Sequence, residues 1–212
     1  MQIDFIFDAV CPWCYIGKRR LEAALRLRPH LSVTPRWRPF LLNPEIPPEG
    51  IDRTAYLVNK FGSETRVSRV YGAIAKAGQS AEIDFEFDRI RQTPNTVNAH
   101  RLVRFAEQAG RADAAVEALF LNYFVNGKNI GENDILVAIG KNLGLDDQAL
   151  AAYLRGDEDA AFVYEENARA HRLGINGVPS FIFNAKMAIS GAQDAEVIAR
   201  ILDAAQEVGD AA

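Results

Sequence analysis

The sequence predicts an α/β fold in which a βαβ half and a ββα half are separated by a large all-helical insertion. Three observations carry this. The chain's two cysteines, Cys11 and Cys14, stand between an apolar strand pattern and a long helical pattern. From Asp52 to about Leu173 helical periodicity dominates, and from Pro179 strand patterns return. In order, Ile3 to Phe7 reads as a strand. Pro12 to about Leu27 reads as a helix, with Tyr15, Ile16, Leu21, Ala24 and Leu25 set against Lys18, Arg19, Arg20 and Arg26. Ser32 to Pro39 reads as a second strand. The proline-rich exit Asn43-Pro44-Glu45-Ile46-Pro47-Pro48 is a boundary signal, so residues 1–48 and 174–212 are expected to form one domain and 49–173 the inserted helical one. Within the insertion, helices are expected near 53–61, 63–78, 95–109, 133–143, 147–154 and 158–173. A further one is carried by Ala112, Ala115, Val116, Leu119, Phe120 and Tyr123 and closed by Gly127, while Gly144 and Gly174 supply other stops. Residues 82–88 alternate like a strand, but helices on both sides make them an extended connection. Ser180 to Phe183, a turn at Asn184-Ala185-Lys186, Met187 to Ser190 and a helix from Asp194 to about Glu207 complete the chain.

Cys11-Pro12-Trp13-Cys14 at a strand-to-helix junction points to a redox dithiol. The thiolate is the reactive form of cysteine, and a helix start favours it, because unpaired backbone N–H groups and the positive end of the helix dipole face the sulfur of Cys11. Pro12 fits the first helical position, where its missing N–H has no intrahelical partner. Cys14, a turn further in, is expected to be the more buried, resolving thiol. Cys11 then attacks a substrate disulfide, and Cys14 releases the mixed disulfide by attacking Cys11. Other readings are weaker. A structural zinc site needs about four ligands, and beyond the two cysteines the chain offers only the scattered His30, His100 and His171. A static disulfide closing so short a loop removes little unfolded-state entropy.

With 24 basic and 28 acidic residues among 212, a net charge of -4 and no basic cluster beyond Lys18 to Arg20, nucleic acid is not an expected partner. No membrane segment or export signal is read, which makes the cytoplasm the expected location. There a dithiol rests mostly reduced.

The order strand, helix, strand, helical block, hairpin, helix is that of a thioredoxin fold with a helical insertion. Gly174-Ile175-Asn176-Gly177-Val178-Pro179-Ser180-Phe181 supports it by placing a proline at a strand start, where a lost N–H is tolerated. In a thioredoxin-like site this proline is cis and packs beside the dithiol, leaving the Val178 backbone to pair with a bound peptide. A lone Val-Pro is a weak signal, since only about 5–6% of X-Pro bonds in folded proteins are cis. Together with the Cys11/Cys14 pair it is strong.

The sequence resembles the DsbA-like thioredoxin-fold proteins, in the FrnE-type branch related to 2-hydroxychromene-2-carboxylate isomerases and kappa-class glutathione transferases. The resemblance rests on Phe7-Asp8 leading into the dithiol and Tyr15, on Trp37-Arg38-Pro39-Phe40-Leu41-Leu42-Asn43-Pro44, on Asn95-Thr96 with Ala99-His100-Arg101, and on Gly177-Val178-Pro179. It implies that Cys11 holds the nucleophile position, which the isomerase and transferase relatives commonly fill with serine. It also implies a substrate site that includes Pro12, Trp13, Val178 and Pro179. Asn95, Asn98 and Arg101 would hold a peptide or glutathione amide or carboxylate, against the plainer reading in which Asn95 or Thr96 caps a helix. No tightly bound cofactor and no metal are implied. The partners are protein disulfides or small thiols, with glutathione as a co-substrate, and the branch often forms homodimers. One departure stands out: many thioredoxins carry a buried acid six residues before the nucleophile, and that position here is Phe5. Asp8, nearer the dithiol, reads as a carboxylate ordering the turn, with proton transfer as the alternative. His100 reads as a structural histidine, Trp13 as exposed at the mouth of the site, and Trp37 and Phe40 as core or groove wall.

The expected activity is thiol-disulfide exchange. The alternative is a glutathione-dependent isomerase or transferase acting on a small aromatic or polyketide-like compound, and a third class is a binding module or chaperone without turnover.

Overall fold

A computed structural model describes residues 1–210; the last two residues of the expected 174–212 segment lie outside the described residues. Strands β1 (Gln2–Phe7), β2 (Thr34–Pro39), β5 (Ser180–Phe183) and β6 (Met187–Ser190) form one sheet in the order β2-β1-β5-β6. β1 runs parallel to β2 and antiparallel to β5, and β5 runs antiparallel to β6. The central β1 is buried on both faces from Ile3 to Phe7, which is why its apolar run is nearly continuous. Phe5 pairs with Trp37 on one side and Phe181 on the other, with ring centroids at 4.8 and 4.4 Å. Helices α1 (Pro12–Arg26) and α9 (Ala195–Asp210) pack against each other at the sheet.

Between β2 and β5 lie α2 (Arg53–Phe61), α3 (Glu64–Gln79), α4 (Val97–Glu107), α5 (Ala112–Phe120), α6 (Asn133–Asn142), α7 (Asp147–Arg155) and α8 (Ala160–Arg172). One apolar core runs unbroken from the sheet into this helical block. Residues 82–88 form no strand, and they are not one extended connection either: Glu82 sits in a turn at φ +57°, and after the irregular residues 83–86 a 3₁₀ turn follows at Phe87–Arg89. Two features were not expected. A two-residue ladder, β3 (Ile51–Asp52) with β4 (Gln92–Thr93), ties the ends of the α2–α3 excursion together. The helix expected through Tyr123 widens after Phe120 into a π turn, Leu121–Val125, in which Asn126 N–H donates to the Leu121 carbonyl at 3.0 Å. The wide turn lets both Tyr123 and Phe124 face inward, fully buried. Gly127 follows at φ +67°, where a Cβ would sit 2.5 Å from the Cβ of Arg89.

A second difference concerns Lys18. Its place among the basic residues of α1 suggested a solvent face, yet it is only 2% exposed. Three acids make this tenable: Glu22 one turn on, Glu117 at 3.1 Å and Asp113 at 3.5 Å, the last two on α5. Burial lowers its pKa, but these carboxylates outweigh that and hold it above the ordinary lysine value.

Asp4 ties the sheet to the insertion. It faces Arg36 across the β1/β2 register and accepts from it at 2.7 and 3.0 Å, and from Arg38 at 3.1 Å. Arg38 in turn reaches Glu166 on α8 at 3.4 Å. Burial raises the Asp4 pKa, but the Arg36 hydrogen bonds and the Arg38 charge prevail and depress it below the ordinary aspartate value. A depressed folded-state pKa contributes stability above the unfolded value of about 3.9, which is lost as pH falls through the lower folded value. Asp4→Asn is therefore expected to cost about 1–2 kcal/mol at neutral pH, discounted for the half-exposed Arg36. Urea unfolding at pH 7 and pH 3 checks this: the gap between wild type and variant narrows at the lower pH.

Candidate active site

β1 delivers the chain to a tight turn in which Cys11 N–H donates to the Asp8 carbonyl at 3.0 Å, and Cys11 is the N-cap of α1 with Pro12 at the first helical position. The two cysteines are free thiols of unequal access: Cys11 is 5% exposed and Cys14 is sealed. Trp13 between them is 38% exposed. Burial pushes the Cys14 pKa well above the ordinary thiol value. The adjacent Cys11 sulfur raises it further, and the Asp8 backbone N–H only partly offsets this. Cys14 is thus held as a protonated thiol, the state expected of a resolving cysteine at rest.

The helix N–H groups were expected to engage Cys11 directly, but its side chain caps none of them. As a protonated thiol it is a donor, and it points instead at the Val178 carbonyl, 3.5 Å away. Loss of that proton would free the carbonyl. The Val178–Pro179 peptide is cis, and the Pro179 ring lies against α1 at Gly17, where an added Cβ would stand 3.0 Å from Pro179 Cγ. Pro12, Trp13, Cys11, Cys14, Val178 and Pro179 therefore meet at one place. Gly17→Val is expected to press the Val178–Pro179 segment away from the dithiol, costing about 1–3 kcal/mol. Urea unfolding measures that loss, and iodoacetamide labelling is expected to reach Cys11 faster than in the wild type.

Asp8 is 1% exposed and orders two loops: Oδ2 accepts from Leu42 N–H at 2.8 Å and Oδ1 from Val10 N–H at 3.4 Å. His100, 1% exposed, sets Nε2 3.2 Å from the Phe40 carbonyl and 3.7 Å from Asp8 Oδ1. Asp8 orders the turn as expected, while His100 is bonded through Nε2 and its buried Nδ1 has no hydrogen-bond partner. Phe5, at the position where many thioredoxins have an acid, is core, and Asp8 supplies the carboxylate whose charge acts on Cys14.

Asn95 and Asn98 are engaged in the framework. Asn95 Oδ1 accepts from Val97 N–H at 3.0 Å, an Asx turn leading into α4, whose N-cap Thr96 makes no side-chain cap bond, and Nδ2 donates to the Ile46 carbonyl at 2.7 Å. Asn98 donates to Asn133 at 2.8 Å and accepts from Arg101 at 2.7 Å. Arg101 gives its remaining donors to the carbonyls of Tyr153, Leu154 and Glu158. Beside the site, Tyr15 has partners the sequence did not mark: its hydroxyl donates to Glu117 at 2.9 Å while its ring stacks on Phe120. Its inward place on α1 was legible, but the partners a hundred residues away were not.

The DSBA-like thioredoxin domain family matches residues 2–203. The chain belongs to that family. Among solved structures of DSBA-like proteins, a probable DsbA oxidoreductase from Streptomyces coelicolor superposes with a TM-score of 0.90 at 29% identity, covering 98% of this chain and 90% of that one. An uncharacterized Bacillus subtilis protein, YwbO, is 24% identical over 98% of each chain. The cytosolic disulfide reductase DsbM of Pseudomonas aeruginosa, determined with GSH, shares the fold at a TM-score of 0.72 and 18% identity, over 98% of this chain and all of the other. Among the described residues, no helix is long and apolar enough to cross a membrane, and no cluster of His, Cys, Asp and Glu could hold a metal ion.

Proposed function

We propose that the protein is a thiol-disulfide oxidoreductase using the Cys11/Cys14 dithiol on protein disulfides or small disulfides such as that of glutathione. The observation that carries this is the inequality of the two thiols: Cys11 at the helix start beside the Val178 carbonyl, and Cys14 sealed and held protonated behind it. Cys11 thiolate attacks one sulfur of the substrate disulfide, forming a mixed disulfide and expelling the other sulfur as a thiolate. Cys14 gives up its proton and attacks Cys11 Sγ, closing the intramolecular disulfide and releasing the second substrate thiol. The substrate gains two electrons and two protons, and the dithiol loses them. A small-thiol pair returns them, and the reverse sequence oxidises a substrate. Glutathione as that thiol, and a cytoplasmic location, are supported by the Pseudomonas protein, a cytosolic reductase determined with GSH.

The test is equilibration in glutathione redox buffers, followed by Trp13 fluorescence with Cys11→Ser as control. A reversible two-electron transition between about -270 and -120 mV is expected, together with turnover in insulin reduction. A dithiol that does not cycle, in a protein that converts an aromatic substrate when glutathione is present, would overturn the reading in favour of the isomerase.

A further inference from the structure

A cleft of about 740 Å³ opens in the helical block between α2, α3 and residues 85–91. None of the dithiol residues lines it. Part of its mixed wall is aromatic: Phe85 and Phe87 stack with centroids 4.7 Å apart, and Tyr71 meets Phe87 edge-on at 4.7 Å, while Thr54, Ser68 and charged side chains line the rest. In this lining sits Arg53, only 6% exposed. Its Nη1 donates to the Tyr123 hydroxyl at 3.1 Å, and its guanidinium lies over the Tyr71 ring at 5.1 Å. Nη2 has no hydrogen-bond partner, and Arg53 forms no ion pair among the described residues. Three acids and a second arginine also line the cleft, but none of the acids pairs with Arg53: Glu86 pairs with Arg89 at 3.4 Å, and Glu64, Asp88 and Arg91 are exposed.

A buried guanidinium without a counter-charge is unfavourable. Arg53 is also the first residue of α2, a cation at the positive end of a helix dipole. A bound anion offsets both terms. The volume lies in the range of small-molecule sites, whose walls are mostly apolar with a few placed polar groups. We propose that this cleft binds a small organic carboxylate with an apolar body, the carboxylate on the Arg53 guanidinium and the body against Tyr71, Phe85 and Phe87. The aromatic part of the wall beside Arg53 gives an apolar body a surface to pack on, which a bare inorganic anion does not use, and the fork of an arginine suits a carboxylate.

Calorimetric titration of the intact protein with naphthoate and with octanoate, each against its neutral amide, tests this. At least one acid is expected to bind at a single site about tenfold or more tighter than its amide; preference for naphthoate assigns an aromatic body, preference for octanoate an aliphatic one. Arg53→Lys keeps the charge but loses the fork, and a several-fold loss is expected. Gly72→Phe provides a second check that spares Arg53. Gly72 lines the cleft on α3, and a Cβ added there meets nothing within 4 Å, so a phenyl ring enters the open space and blocks binding while the fold stands. The proposal is overturned if neither acid binds, if acid and amide bind alike, or if a folded Gly72→Phe protein binds at full strength.

Discussion

Cys11→Ser is expected to reduce disulfide exchange to the rate of glutathione alone, while Cys14→Ser halts after the first half-reaction. A serine hydroxyl carries no appreciable alkoxide at neutral pH, whereas even an ordinary cysteine holds a few per cent thiolate. With Cys14 sealed at 0% exposure and its pKa raised by burial, no second nucleophile in the pair can take over the attack. In Cys14→Ser, Cys11 still attacks, but nothing resolves the adduct, so the protein accumulates as a mixed disulfide with its substrate. Mass spectrometry after incubation with oxidised glutathione separates the cases: one glutathione adduct on Cys14→Ser and none on Cys11→Ser. Adduct formation on Cys11→Ser would exchange the roles of the two sulfurs. Because Cys11 bonds the Val178 carbonyl only through a thiol hydrogen, Cys11→Ser keeps a donor at that place, and its stability is expected to stay close to that of the wild type.

What could be read in the sequence follows the range of the forces involved. α2, β5 and β6 begin and end where their local patterns place them, because an N-cap at Asp52, a short apolar run after Pro179 and the turn at Asn184-Ala185-Lys186 act over a few residues. The dithiol and Val178–Pro179 were legible because each is a short motif with its own backbone demand. Lys18, Arg53 and Arg101 were not. Lys18 stood among the basic residues of α1, Arg101 was read as a substrate-binding cation and Arg53 carried no signal, and each is buried because groups from distant segments surround it: Glu117 for Lys18, Tyr123 for Arg53, and three carbonyls for Arg101. The π turn was missed for a related reason. A regular helix through Tyr123 satisfies the local pattern, and only packing against Tyr15, Phe85 and Phe87 rewards the extra residue per turn.

Arg101 makes the second large effect. It leaves α4 and closes the end of another helix: Nη2 donates to the Tyr153 carbonyl at 2.5 Å, Nη1 to Leu154 at 3.3 Å, and Nε to Glu158 at 2.7 Å, all with the side chain 2% exposed. Tyr153 and Leu154 lie in the last turn of α7, whose carbonyls have no partner within their own helix. The guanidinium supplies those partners and stacks on the Tyr153 ring at 4.7 Å. Arg101→Met keeps much of the volume and removes every donor, leaving the Tyr153 and Glu158 carbonyls and Asn98 Oδ1 without theirs, while the Leu154 carbonyl keeps Asn133 Nδ2 at 3.4 Å. At about 1–3 kcal/mol for each, with some recovered by water, a loss of about 3–5 kcal/mol is expected, a large part of a typical domain's total stability. Arg101→Lys restores a charge and one donor group and is expected to recover less than half. Urea unfolding gives the magnitude, and hydrogen exchange should place the weakening first at α7 and the 156–159 connection. A substrate-binding Arg101 would behave otherwise, raising the KM for a glutathione substrate while leaving the urea midpoint unmoved. The framework role predicts the opposite: a lowered midpoint and, in whatever fraction remains folded, an unchanged dithiol potential, because none of Arg101's hydrogen bonds reaches α1 or the Val178–Pro179 segment.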